Sequence, residues 1–155
     1  VVGGLLGARR PVIAVVLVLA LSACSGDPDG LSAQGSLADL RKAGMAILES
    51  ASEGEASVEA PARDVPCGGL GGNEWNKISY SYEAAAGVVE DADASLARAI
   101  AAIEDLGIRH DGVQQWPSGP GVSFYAEGFN GGVFVHEDGA LEVRAQTDCL
   151  DNPER

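Results

Sequence analysis

Two histidines, each beside a carboxylate, are the residues of this 155-residue chain best suited to chemistry: Arg109-His110-Asp111 and His136-Glu137-Asp138. Such a pair supplies either an acid–base couple or two metal ligands, because imidazole titrates near neutrality and carries a free lone pair. A centre built from His110, Asp111, His136 and Glu137 requires the two segments to meet. Both positions, one after a helix end and one at a hairpin end, are also ordinary places for exposed polar residues. No Gly-x-Ser-x-Gly elbow is present, which argues against a Ser-His-Asp hydrolase. Cys67-Gly-Gly-Leu-Gly-Gly72 has the glycines of a phosphate cradle but no Gly-Lys-Ser/Thr, and Glu74 sets negative charge beside it. It is expected as a loop that lets Cys67 approach a partner. The sequence therefore implies no cofactor, no metal and no catalytic residues.

The remaining chemistry belongs to cysteine. Leu21-Ser22-Ala23-Cys24 closes an apolar run, Pro11 to Leu21, that follows Arg9-Arg10. A basic start, an apolar stretch shorter than the roughly 20 residues of a membrane-spanning helix, and small residues before a cleavage point are the layout of a signal peptide. The last four residues resemble a bacterial lipobox. That resemblance implies removal of residues 1–23 and a diacylglyceryl group on the thiol of Cys24, two chains being enough for a stable anchor. Cys67 and Cys149 are then an even pair in an oxidising compartment, which reads as one disulfide. It closes a loop of about 80 residues and adds roughly 4 to 5 kcal/mol on the chain-entropy model. No Cys-x-x-Cys and no histidine near either cysteine supports zinc instead.

Without residues 1–23 the chain keeps 8 basic and 23 acidic residues, a net charge near −15. Such a domain repels phosphate backbones and anionic headgroups, so no nucleic acid is expected as a partner.

The elements that position these groups follow from period and punctuation. Residues 24–35 are turn-forming and polar and are expected as a flexible tether. Ser36, with Asp39 three residues on, predicts a capped helix whose stripe is Leu37, Leu40, Ala43, Gly44, Ile47 and Leu48. The acidic, proline-bearing stretch to Pro66 is expected as a linker, so residues 36–66 form a helix plus acidic linker. Trp75 to Glu83 alternates, with Ile78, Tyr80 and Tyr82 on one face and Lys77, Ser79 and Ser81 on the other, and predicts a strand. From Asp91, Leu96, Ala99, Ile100, Ile103 and Leu106 recur at helical spacing, and Gly107-Ile108 predicts a Schellman ending. Trp116-Pro-Ser-Gly-Pro-Gly121 reads as a turn region. Asn130-Gly131 and Asp138-Gly139 predict hairpin turns joining Val122–Phe129, Gly132–Glu137 and Ala140–Cys149. In the last strand Leu141, Val143, Ala145, Thr147 and Cys149 are expected inward, and Glu142, Arg144, Gln146 and Asp148 outward. Residues 151–155 are expected disordered.

The expected fold is α+β: a small two-layer sandwich, an antiparallel sheet of about four strands covered on one face by two helices, with residues 67–150 as the domain. The lipobox, the spacer with its helix, Cys67 before a strand, the alanine-rich helix 91–106 ending in Gly107 and the final Thr147-Asp-Cys-Leu150 resemble the small actinobacterial lipoproteins of the LppA type. The resemblance implies a location and a fold, not a reaction. The expected function is a membrane-anchored protein on the extracytoplasmic face of the cell membrane, non-enzymatic, that binds an envelope protein or serves as an accessory. The alternative is a lipoprotein that binds a small molecule or metal ion for uptake or sensing. Aromatic residues available to a ligand are Trp75, Tyr80, Tyr82, Trp116, Phe124 and Tyr125. Trp116, Pro117 and Pro120 are the expected partner-binding residues, together with the polar sheet face.

Overall fold

A computed structural model describes residues 31–54 and 57–153. The expected signal peptide, its Cys24 and most of the expected tether lie outside the described residues. The elements are helix α1 (Ala33–Ala51), strands β1 (Val58–Glu59), β2 (Arg63–Gly68) and β3 (Glu74–Val88), helix α2 (Ala92–Asp105), and strands β4 (Arg109–Trp116), β5 (Gly119–Ala126), β6 (Phe129–Val135), β7 (Ala140–Thr147) and β8 (Leu150–Asp151).

All strands join one antiparallel sheet in the order β1-β3-β7-β6-β5-β4; β2 also pairs with β3, as does β8. Both helices lie on one face, α1 over β3, β7 and β6 and α2 over β4, β5 and β6, and they touch each other. The α+β class, the two helices on an antiparallel sheet and the single disulfide are as expected. The strand number is not: eight strands replace about four.

The additional strands lie at edges. The acidic linker contains β1 and β2, and Pro66 pairs with Ile78 from the outer strand, where a missing N–H costs no ladder bond. At the opposite edge, β4 has few apolar residues, and Gly112 at φ 74 interrupts its pairing between His110 and Val113, which hides the alternation. Asp151, the first residue of the expected disordered C-terminus 151–155, pairs in β8, and Asn152 bonds through its backbone and side chain to Asn76 and Trp75.

Helix α1 starts upstream of Ser36. Ser32 is its cap, accepting from the Gly35 amide at 3.0 Å, so the tether gives residues 33–35 to the helix. Ser36 is instead buried, facing Gly128. The α2 boundaries agree with the spacing. Asp91 accepts from the Ala94 amide at 3.0 Å, and the Schellman bonds run from Ile108 to Ile103 and from Gly107 to Glu104.

The Asp138-Gly139 turn forms, with Gly139 at φ 83. Asn130-Gly131 is not a turn but lies within the first half of β6; the β5–β6 hairpin turns at Glu127-Gly128, with Gly128 at φ 87. The reason is packing. A Cβ on Gly131 would meet Ala145 and come 2.8 Å from Phe124 Cζ, so this glycine makes room for a core ring rather than for a bend.

The core between the layers contains Leu40, Ile47 and Leu48 of α1, Leu96 and Ile103 of α2, and Tyr82, Phe124, Val133, Leu141 and Val143 of the sheet. Gly44 lets α1 sit against Tyr82, whose Cε1 lies 2.6 Å from where a Cβ would stand. The Tyr82 hydroxyl has no hydrogen-bond partner among the described residues. Its pKa is pushed up to about 12, first by burial and then by the Glu59 carboxylate, with Arg41 opposing. The unfolded phenol ionises near 10. The stability this shift represents is complete below pH 10 and is lost as the pH rises through 12. Tyr82→Phe is expected to remove that alkaline loss, read as the difference between the two proteins in urea midpoints across this range. A loss of the same size in both would refute the assignment.

Candidate functional site

The sheet face away from the helices is open, and a concave part of it lies over β4–β7. A groove of about 440 Å³ is lined by Trp116, Ser123, Tyr125, Asn130, Phe134 and Arg144, among others. Alternation places them: Ser123 and Tyr125 point out of β5 while Val122 and Phe124 point in, and Asn130 and Phe134 point out of β6 while Val133 and Val135 point in. Trp116 ends β4 and packs edge-on against Phe134, with ring centroids 6.0 Å apart and planes at 85°. Gly121 and Gly132 carry the Phe134 ring, since a Cβ on either would lie 2.6 Å from it. The groove floor is thus an aromatic ring laid over bare backbone.

One wall is ionic. Glu142 bonds His136 Nε2 at 2.7 Å through one carboxylate oxygen and accepts from Arg144 Nε at 2.8 Å through the other. This bond and the Glu142 charge hold the Arg144 guanidinium above its usual range, so Arg144 is a permanent cation at the groove. On the other side, the Tyr125 hydroxyl donates to Asp111 at 2.7 Å, and that bond is the main cause of its raised pKa. The arrangement offers an aromatic platform, a fixed guanidinium and small hydrogen-bonding side chains, which suits binding.

Of the expected partner-binding residues, Trp116 and Pro117 line the groove; Pro120 pairs with Gln115 in the β4–β5 ladder and does not. Glu142, Arg144 and Gln146 lie on the outer face as alternation predicts. Phe134 and Asn130 are the residues sequence reasoning missed. Their signal was the parity of β6, hidden by placing a turn at Asn130-Gly131.

The two histidines do not come together. His110 pairs with Phe124 across β4–β5, while His136 lies past the other end of β6. His110 accepts from the Gly112 amide through Nδ1 at 3.0 Å, which leaves Nε2–H to donate to Glu104 at 3.2 Å. Among the described residues no group of three or more His, Cys, Asp or Glu is placed to hold a metal ion.

Cys67 and Cys149 form the disulfide, with Cα atoms 6.0 Å apart. Cys149 does not point into the core, however, but is exposed. The alternation of β7 ends at Thr147, which is buried and accepts from the Tyr80 amide at 2.9 Å. The Asp148 amide then bonds Gly128, and the chain steps off to pair with β3 further along.

Compared with known proteins, the chain matches no family model, and no curated protein or solved structure is detectably similar to it. No helix among the described residues is long and apolar enough to cross a membrane.

Proposed function

We propose that the protein is a lipid-anchored binding or accessory protein on the extracytoplasmic face of the cell membrane, without catalytic turnover, and that it holds its partner against the open sheet face. The observation that carries the binding part is the Trp116–Phe134 pair beside Arg144 in an uncovered groove. Aromatic residues and arginine are the side chains on which binding energy concentrates. The location rests on Leu21-Ser22-Ala23-Cys24 with its preceding apolar run, and the Cys67–Cys149 disulfide supports an oxidising compartment. The layout shared with LppA-type lipoproteins belongs to the same proposal. The groove volume favours one second reading, a small organic ligand for uptake or sensing, because about 440 Å³ falls within the range of small-molecule sites.

The test is photo-crosslinking in intact cells from a probe at Ser123, on the groove, and from one at Lys42, on α1. A defined adduct from Ser123 and none from Lys42 is expected. Trp116→Ala should weaken it about thirtyfold, the loss of an aromatic anchor buried against a partner being worth about 2 kcal/mol. Equal adducts from both probes, or an adduct indifferent to Trp116→Ala, would remove the groove from the proposal. Intact mass of the membrane-extracted protein checks the anchor, with acylated residues 24–155 expected.

A further inference from the structure

We infer that the tip of the β2–β3 hairpin, Leu70 within Gly69-Leu70-Gly71-Gly72, is a second contact with the lipid bilayer, which orients the domain on its anchor. The inference rests on the lipid anchor at Cys24 proposed above.

The sheet is not flush at its ends. Ser81 pairs with Gln146 and the Tyr80 amide meets Thr147, so β7 stops at that level. Strand β3 has six further residues on this side, Glu74–Ser79, which amount to about 20 Å of strand. A free two-stranded arm of this length would be marginal in water. This one is braced on both edges: β2 pairs along one, and β8 with Asn152 holds the other as far as Trp75. The disulfide ties the two braces across β3, because Pro66 and Leu150 pair with the same residue, Ile78, from opposite sides. The sequence closes one long loop with this bond, and the fold uses it to stiffen a projecting arm.

What the tip of the arm presents is mainly apolar, while Lys77 and Asp151 form an exposed ion pair nearer the sheet. Leu70 is fully exposed, and Val65 and Trp75 are exposed behind it. Between Val65 and Asn76 the only ionised side chain is Glu74, which folds back over Gly69. A leucine at a glycine tip with a tryptophan behind it is the order favoured at a membrane surface, where the ring sits at headgroup depth.

The direction of the arm matches the anchor. The start of α1 abuts the β5–β6 turn, with Leu31 and Ser36 against Gly128, at the same end of the sheet from which the arm projects. Six residues separate Cys24 from Leu31. They reach about 25 Å at full extension and about 15 Å on average for a flexible chain. An arm of about 20 Å is longer than the average reach of a flexible chain of that length and shorter than its full extension, so it meets the bilayer when the domain stands at that average reach. The acidic surface supplies no attraction to lipid, so the anchor provides the affinity and the arm the orientation.

The test uses the full acylated chain in phosphatidylcholine vesicles, with and without bromine on the acyl chains. The reporter is Leu70→Trp in a Trp75→Phe, Trp116→Phe background; the control keeps Trp116 alone. Brominated lipid is expected to cause a loss of Leu70→Trp emission and none from Trp116. With acylation of Cys24 verified by mass, unquenched Leu70→Trp emission overturns the arm contact and leaves the anchor standing. An unacylated chain that stays out of the vesicle pellet overturns both. Quenching of Trp116 equal to that of the reporter overturns the orientation.

Discussion

Opening the Cys67–Cys149 disulfide is expected to destabilise the protein by about 4.5 kcal/mol, the chain-entropy value for cross-linking residues 82 apart. That is a large fraction of the roughly 5–15 kcal/mol that holds a domain folded, and for a domain of this size it is a fall of roughly 15–20 °C in Tm. Comparing urea unfolding of the oxidised and reduced protein measures it. The loss should start locally. With Cys149 released, β8 keeps two residue pairs on β3 and the bonds of Asn152, all near the surface. Amide exchange at Asn152 and Lys77 is therefore expected to rise before that of Val143 or Val133. A midpoint unchanged by reduction would mean that the arm stands without its brace.

Phe124→Ala is expected to cost about 4 kcal/mol, as truncation of a fully buried ring leaves a cavity that a close-packed core refills only in part. Phe124 lies in the core on the strand that α2 covers and fills the space that Gly131 leaves open on the neighbouring strand. The complementary change, Gly131→Ala, overfills the same space and should cost about 1–3 kcal/mol. The two are coupled. In the Phe124→Ala background the added methyl no longer meets the ring, so Gly131→Ala should cost less there, although the contacts with Ala145 and the Arg144 carbonyl remain. Strict additivity in denaturant titrations of the four proteins would show that Gly131 is required by the backbone rather than by the ring.

That pair also shows where sequence reading stops. An Asn-Gly dipeptide between apolar runs satisfies every local rule for a hairpin turn, and Asp138-Gly139 obeys it. Asn130-Gly131 obeys the packing of Phe124 instead, which lies on another strand and has no trace in the local pattern. The same limit moved the cap of α1 from Ser36 to Ser32. Both serines satisfy a cap chemically, and only the burial of Ser36 beside Gly128 decides between them. The edge strands β1, β2 and β4 were illegible for a related reason. An edge strand has one neighbour and little core contact, so it tolerates Pro66, Asp64 and Gln115, and alternation weakens where burial is weak.

By itself the sequence determined what depends on residue type and near neighbours. The 3.6-residue stripe of α2 and its Schellman end, the two-residue alternation of β3 and β7, the Asp138-Gly139 turn and the pairing of two cysteines all follow from local geometry or from elimination. The tertiary structure alone decided which residues share a surface. Phe134 joins Trp116, Arg144 pairs with Glu142, His110 and His136 stay apart, and Cys149 faces outward to brace an arm that carries Leu70. Strand register is the physical reason: a one-residue shift moves every side chain to the opposite face, and register is set by the sum of core contacts across the sheet rather than by any single segment.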